Sequence, residues 1–166
     1  MNNPLKIGFG GGCHWCTEAV FKSLKGVTEV EQGFIAPKDN PKDYSEAVIV
    51  HFEEDQIRLD DLIAIHLYTH QSTKNHTLRY KYRSAVYFFG DQHEVIIIKI
   101  MKRLQKEFVE PIITKILPFG GFTSSEEKFQ NYYYSDTRKP FCKTHISPKI
   151  ALLMHKFSNH VRDDVK

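Results

Sequence analysis

A run of glycines constrains the start of this chain more than any other feature. Gly10, Gly11 and Gly12 follow an apolar stretch at residues 5–9 and precede Cys13, where an amphipathic pattern begins. Glycine adopts backbone angles and permits close approaches that other residues do not. The pattern therefore predicts a strand, a tight loop and a helix, with a cysteine at the helix start.

Cys13 is a candidate nucleophile because of this position. The unpaired N–H groups and partial positive charge at a helix N-terminus favour the thiolate, which is the reactive form of cysteine. The alternative interpretation is a small buried hydrophobic residue, which would be the simpler one for a lone cysteine. The glycines directly before Cys13 favour the reactive cysteine.

Length and composition predict a single domain. The chain has 166 residues, a net charge of +3 and three cysteines. Lysines and acids are interleaved, which argues against nucleic-acid binding, and neither a signal peptide nor an apolar run long enough to cross a membrane is visible. We expect a cytoplasmic protein with one catalytic domain over residues 1–166 and flexible ends at residues 1–4 and 158–166. In a reducing compartment the cysteines indicate redox chemistry, a metal site or buried thiols.

Hydrophobic periodicity predicts strands and helices along the whole chain. The predicted strands are 5–9, 27–34, 47–52, 84–89 and 112–117, and the predicted helices are 13–25, 60–70, 91–108, 124–134 and 149–161. Pro118 is expected to end the last strand, and residues 137–148 are expected to form a loop. The second and third strands follow each other without a helix, which argues against an all-parallel sheet. We expect an α+β two-layer sandwich with a mixed sheet and a ferredoxin-like core.

Cys16 follows Cys13 at the spacing C-x-x-C, which leaves three interpretations open. Cys16 could form a disulfide with oxidised Cys13, or it could be inert on the buried side of the helix. Alternatively, the two cysteines could bind zinc together with Cys142 and His145, in a zinc-stabilised binding module. The glycine loop and the tryptophan inside the first pair argue against zinc.

Glu46 and Tyr82 each lie just before a predicted strand. A carboxyl that is partly buried there stays protonated and can act as an acid, and a phenol can donate a hydrogen bond to a substrate. From these residues alone, a solvated Glu46 and a Tyr82 that merely packs are the simpler interpretations.

Several segments together resemble the A-type peptide methionine sulfoxide reductases. The Gly-Cys-His-Trp-Cys-Thr-Glu sequence at 12–18 resembles the family's Gly-Cys-Phe-Trp signature, and Tyr-Arg-Ser-Ala-Val-Tyr at 82–87 is similar to its Tyr-Arg-Ser-Ala-Ile-Tyr segment. Ser-Glu-Ala-Val at 45–48 and Phe-Cys at 141–142 resemble two further family segments. The similarity extends in order over residues 7–157.

The resemblance implies reduction of methionine S-sulfoxide, free or peptide-bound, as protein repair after oxidation. The Cys13 thiolate would attack the sulfur, Glu46 would protonate the oxygen, and Tyr82 would assist with a hydrogen bond. Cys13 would be left as a sulfenic acid, and a second cysteine would convert it to a disulfide. Thioredoxin or another dithiol would reduce that disulfide, with no metal and no bound cofactor.

The resemblance also implies which residues bind the substrate and which cysteine resolves the sulfenic acid. His14, Trp15 and Phe34 would line the substrate pocket, with His14 in place of the family's usual phenylalanine. An imidazolium at that position would help to ionise the neighbouring thiol. Cys142 is the preferred resolving cysteine because it has the family's placement on a late loop, and Cys16 is the alternative. We expect a monomer whose partners are oxidised proteins or free methionine sulfoxide and thioredoxin, and neither nucleic acid nor membrane.

Overall fold

Five strands form the framework of the computed structural model, which describes residues 5–165. The strands are β1 (Leu5–Gly10), β2 (Val27–Pro37), β3 (Ser45–Phe52), β4 (Ala85–Phe88) and β5 (Lys115–Ser124). The α-helices are α1 (His14–Lys22), α2 (Leu59–Thr69), α3 (Asp91–Gln105), α4 (Tyr132–Ser135) and α5 (Ser147–Lys156). Short 3₁₀ turns lie at Thr77–Tyr80, Glu127–Phe129 and Ser158–His160, and a π-helical turn lies at Cys142–Ile146.

The strands close into a barrel in the order β1-β3-β2-β5-β4. β1 is antiparallel to both β3 and β4, β2 is antiparallel to β3 and β5, and only β4 and β5 are parallel. The predicted α+β class with a mixed sheet is confirmed. The predicted two-layer sandwich is not obtained, because β5 bonds to both β2 and β4 and joins the two edges that a sandwich leaves free.

β5 continues past Pro118, where the sequence predicts its end. Residues 115–118 pair in parallel with β4, and residues 119–124 pair antiparallel with β2. Proline lacks the N–H that a central strand needs, but Pro118 lies where β5 changes partner, and its carbonyl accepts the N–H of Lys38 at 2.9 Å. The helix predicted at 124–134 is consequently replaced by a strand end, a 3₁₀ turn and the short α4.

Side chains fill the barrel interior. The interior cluster consists of Ile35, Ala47, Ile49, Ala85 and Tyr87. A larger core lies between the outside of the barrel and the helices. Since the barrel is packed, a substrate site has to lie outside it, at the ends of the strands.

The C-terminal residues pack against the body of the protein. Val161 is fully buried and forms a β-bridge with Leu24, and the N–H of Lys25 donates to the carbonyl of His160 at 2.8 Å. Residues 158–165 are therefore attached where the sequence predicts a flexible end. The flexible ends predicted at residues 1–4 and at 166 lie outside the described residues. Within residues 5–165, no helix combines the length and apolar character that a membrane span requires.

Candidate active site

The glycine loop fixes the position of Cys13. Gly11 has φ +155°, and a Cβ there would overlap the ring of His70, so glycine is required at this position. The carbonyl of Gly10 accepts a hydrogen bond of 2.8 Å from Nε2 of His66 on α2. These contacts of α2 and His70 hold the loop in place. Cys13 lies at the N-cap of α1, as the sequence predicts.

A cavity of about 370 Å³ opens beside this thiol. Its lining consists of Cys13, His14, Trp15, Phe34, Glu46, Lys81, Tyr82, Ser124, Ser125, Glu126 and Phe129. All the residues predicted as catalytic or substrate-binding therefore line one cavity, although they come from separate parts of the chain. Its volume is within the range of small-molecule sites.

Glu46 faces this cavity from the start of β3 and is only 7% exposed. Its Oε1 accepts the backbone N–H of His14 at 3.3 Å, and Nε2 of the same histidine also lies 3.3 Å away. Nζ of Lys81 lies 3.8 Å from Oε2. The solvated glutamate that is the simpler interpretation of the sequence is therefore not observed.

His14 is buried between β2 and β3. Its Nδ1 lies 2.7 Å from the carbonyl oxygen of Gly33, and its ring meets that of Phe34 edge to face at 5.2 Å. Contacts on opposite sides, with Gly33 and with Glu46, therefore hold the imidazole in one orientation.

Aromatic rings hold Trp15 at the apolar side of the cavity. The indole stacks on Tyr132 at 4.2 Å and on Phe129 at 5.1 Å, and Phe141 meets it edge-on at 5.1 Å. Trp15, Phe129 and Phe34 give the cavity an apolar lining, and Phe34 is the cross-strand neighbour of Glu46. The sequence predicts Trp15 and Phe34 here but not Phe129.

A buried carboxylate holds the segment that supplies these rings. Glu18 is 1% exposed and accepts the backbone N–H groups of Asn131 and Tyr132 at 3.1 and 3.3 Å. It also accepts from Nε2 of Gln32 at 2.9 Å. The sequence does not predict this role of Glu18, because the backbone groups that it holds at residues 131 and 132 lie more than a hundred residues away.

Lys81 is a further residue that the sequence analysis misses. Its ammonium lies 5.1 Å from the centre of the Tyr82 ring, and a hydrogen bond to Tyr82 raises the pKa of Lys81, with a further contribution from Glu46. Lys81 thus gives the polar side of the cavity a positive charge. Its position next to Tyr82 in the sequence is the only signal that could have identified it.

Residues 124–126 form the rim opposite Cys13. They reach it because β5 is longer than predicted. Ser125 is held by Gln32, since its Oγ donates to Oε1 of Gln32 at 2.8 Å. No local pattern predicts this rim, because it depends on the pairing of β5 with β2.

The thiols of Cys13 and Cys16 are hydrogen-bonded to each other. This bond raises the pKa of Cys13, and burial and the charge of ionised Cys16 raise it further. The same bond lowers the pKa of Cys16. Within this pair Cys16 is thus the more acidic thiol, which differs from the expectation that the helix N-terminus lowers the pKa of Cys13.

Cys142 is fully buried in the π-helical turn and does not line the cavity. The sequence predicts a late loop here, but Cys142 belongs to the main core. Burial raises the pKa of its thiol. The role of Cys142 as the resolving cysteine therefore stays a prediction, as does the alternative role of Cys16, which is also buried and does not line the cavity.

The zinc alternative is not favoured by the geometry. Among residues 5–165, the side chains close enough together to share a metal ion are Glu29, Glu31 and His51, on the outside of the barrel. The set proposed from the sequence, with Cys142 and exposed His145, is not gathered in this way. An ion pair between His51 and Glu31, at 2.7 Å, accounts for the observed cluster.

Comparison with known proteins identifies the family. The model of the peptide methionine sulfoxide reductase family matches residues 5–161. The chain belongs to this family. The reductase is therefore an oxidoreductase that reduces methionine sulfoxide and repairs oxidised proteins, and this prediction from the sequence is confirmed.

Individual relatives agree with this assignment. The peptide methionine sulfoxide reductase MsrA of Deinococcus radiodurans is 34% identical, over 93% of this chain and 82% of that protein. Reduced Mxr1 from Saccharomyces cerevisiae superposes with a TM-score of 0.74 at 24% identity, covering 86% of this chain and 91% of Mxr1. Mxr1 in complex with Trx2 gives a TM-score of 0.63 at 22% identity, over 78% and 85% of the two chains.

Proposed function

We propose that this reductase acts on the S epimer of methionine sulfoxide, with Cys13 as nucleophile, Glu46 as proton donor and Tyr82 as hydrogen-bond donor. The observation that carries the proposal is the convergence of these residues on one cavity with an apolar wall and a polar wall. The substrate methyl group would contact Trp15 and Phe34, and the sulfoxide oxygen would face the polar wall.

The first step oxidises Cys13 and reduces the substrate. Cys16, the more acidic of the two thiols, first loses its proton, and it then takes up the proton of Cys13 as the sulfur of Cys13 attacks the sulfoxide. Glu46 delivers a proton to the sulfoxide oxygen, and Tyr82 donates a hydrogen bond to it. The substrate S–O bond breaks as an S–O bond forms on Cys13, which leaves methionine and a sulfenic acid.

Cys16 resolves the sulfenic acid in this proposal, because its thiol is already in contact with Cys13. The sulfur of Cys16 displaces the hydroxyl of Cys13, which leaves as water with the proton of Cys16, and a disulfide forms. Cys142, the cysteine preferred from the sequence, stays the alternative resolving cysteine.

A dithiol protein of the thioredoxin type is the reductant that fits this cycle. It transfers two hydrogens to the disulfide and becomes a disulfide itself. The solved complex of Mxr1 with Trx2 supports this choice. A single catalytic domain over residues 1–166, a monomer and a cytoplasmic location stay predictions of the proposal.

The strand order also supports a ferredoxin-like core. β4, β1, β3 and β2 are adjacent in that order, and α1 and α2 connect β1 to β2 and β3 to β4. This is the split β-α-β arrangement of that core. We infer that β5 is an addition that closes it into a barrel.

The proposal is tested by supplying the two epimers of methionine sulfoxide separately with a dithiol reductant. We expect methionine from the S epimer alone, and no methionine from either epimer with Cys13→Ser. A matched control is Cys142→Ser, assayed for one turnover without reductant, which should yield one equivalent of methionine. Equal activity on both epimers, or activity in Cys13→Ser, would overturn the proposal.

A further inference from the structure

The backbone fixes the proton on one nitrogen of His14. Its Nδ1 lies 2.7 Å from the carbonyl oxygen of Gly33, which can only accept a hydrogen bond. Nδ1 therefore carries a hydrogen in both the neutral and the charged imidazole. In the neutral ring, Nε2 is consequently the unprotonated nitrogen.

That nitrogen faces Glu46. Nε2 lies 3.3 Å from Oε1, and the two side chains are only 7% and 8% exposed. Without a proton between them, a lone pair would face a buried carboxylate, which is an unfavourable arrangement. One shared proton removes the conflict, either as neutral His14 with a protonated carboxyl or as imidazolium with carboxylate.

We propose that His14 and Glu46 hold one proton between them and that this is the proton delivered to the sulfoxide oxygen. The inference rests on the proposed function and deepens it. His14 acts through Glu46 and is a positioning residue, because it keeps the proton at the cavity while Glu46 transfers it.

The charged groups around the pair decide where the proton resides. The Lys81 ammonium lies 3.8 Å from Oε2 and favours the carboxylate, so the resting proton lies on His14. The remaining titratable groups at the cavity are Cys13, Tyr82 and Glu126. Substrate that binds beside Glu46 draws the proton from His14 through the carboxyl to the sulfoxide oxygen.

The proton balance of the cycle agrees with this role. The water released during disulfide formation takes one hydrogen from Cys13 and one from the pair. Reduction of the disulfide by the dithiol returns two hydrogens to Cys13 and Cys16. Cys16 is the more acidic of the two thiols, so its proton is the one that returns to His14 and Glu46.

The pH dependence of a single turnover tests the role of His14. In His14→Phe, Glu46 alone has to retain the proton, so the alkaline decline in rate should move to lower pH by about one unit. This corresponds to a loss of about tenfold at a pH on the declining limb. His14→Gln, which is polar but does not titrate, should behave like His14→Phe, and exposed His155→Phe serves as the control. An unchanged alkaline limb in both His14 variants would overturn the inference.

Nuclear magnetic resonance supplies a readout that does not depend on activity. The ring-nitrogen signals of His14, assigned by their loss in His14→Phe, should show a proton on Nδ1 at every pH, and Glu46→Gln should change the signal of Nε2. A neutral His14 with its proton on Nε2 would contradict the inference. If the wild type does not reduce methionine sulfoxide but these signals are as expected, the proposed function is wrong, whereas the proton shared by His14 and Glu46 is still supported.

Discussion

At the residue scale, the cysteines differ in their neighbours more than in their depth. Cys16 and Cys142 are both buried in the main core, and of these two it is the thiol of Cys16 that is hydrogen-bonded to Cys13. In the proposed cycle, a sulfenic acid on Cys13 therefore forms next to the sulfur of Cys16. The reducible disulfide is expected between these two residues of α1 and its N-cap.

Cys16→Ser is expected to keep one turnover and to lose at least about tenfold in dithiol-driven turnover, because the sulfenic acid then lacks a neighbouring thiol. Cys142→Ser is the matched control and should keep most of its recycling rate. Methionine release is measured with and without thioredoxin and its reductase. If Cys142→Ser stops recycling and Cys16→Ser does not, the order of the two cysteines is the reverse.

At the element scale, α1 controls the apolar wall through one carboxylate. Glu18 accepts hydrogen bonds from the backbone of residues 131 and 132. The rings of Phe129 and Tyr132, in the same segment, stack on Trp15. The helix that presents Cys13 thus also positions the segment that closes the substrate cavity. Since Trp15 is the only tryptophan, its fluorescence reports this contact.

Glu18→Gln should loosen the aromatic segment. The amide supplies one acceptor oxygen where the carboxylate supplies two, and hydrogen bonds to charged groups contribute about 1.5–3 kcal/mol each. We expect destabilisation of about 2 kcal/mol in urea, a red shift of Trp15 emission and a raised KM. Glu127→Gln, at an exposed position in the same segment, is the control. Unchanged Trp15 emission and KM in Glu18→Gln would contradict this role.

The sequence predicts the elements with regular apolar periodicity, but not the strand and the contact that depend on distant parts of the chain. Regular apolar periodicity predicts β1, β3 and α2 to within a few residues, because those elements bury one face against the core. Pro118 misleads, since a proline is tolerated where a strand changes partner. The contact of His14 with Glu46 joins residues 32 apart in the chain, and no local pattern specifies it.

At the scale of the whole molecule, two buried histidines link the glycine loop to α2. Burial lowers the pKa of His66 well below 6.5 and that of His70 to about 3. Nδ1 of His66 has no hydrogen-bond partner among the described residues, and the ring packs against Phe9. Protonation of His66 would therefore place a charge in the apolar core.

Stability should decline in mild acid. Above pH 6.5 both imidazoles are neutral whether the chain is folded or unfolded, so their titration does not lower the free energy of unfolding. Below that pH these two histidines bind more protons in the unfolded chain than in the folded protein, so protonation favours unfolding. For His70 the loss is about 1.4 kcal/mol per pH unit, or about 2 kcal/mol at pH 5, and His66 contributes a loss of the same sign.

Urea unfolding at pH 7.5 and pH 5 measures this effect. His70→Gln should reduce the difference in stability between the two pH values by about 2 kcal/mol, and exposed His155→Gln should leave it unchanged. Equal stability of the wild type at the two pH values would refute the assignment of neutral, buried histidines.

The closed barrel also affects how the reductase meets its substrates. Oxidised proteins are often partly unfolded and expose strands that add to any open sheet edge. In the described part of the chain, β5 covers this edge along residues 33–37 of β2 and residues 85–88 of β4, whereas the first half of β2 pairs with β3 alone. The covered part of β2 includes Phe34, which lines the cavity, so a damaged chain that reaches this end of the barrel has no strand to extend and engages the protein by a single oxidised side chain.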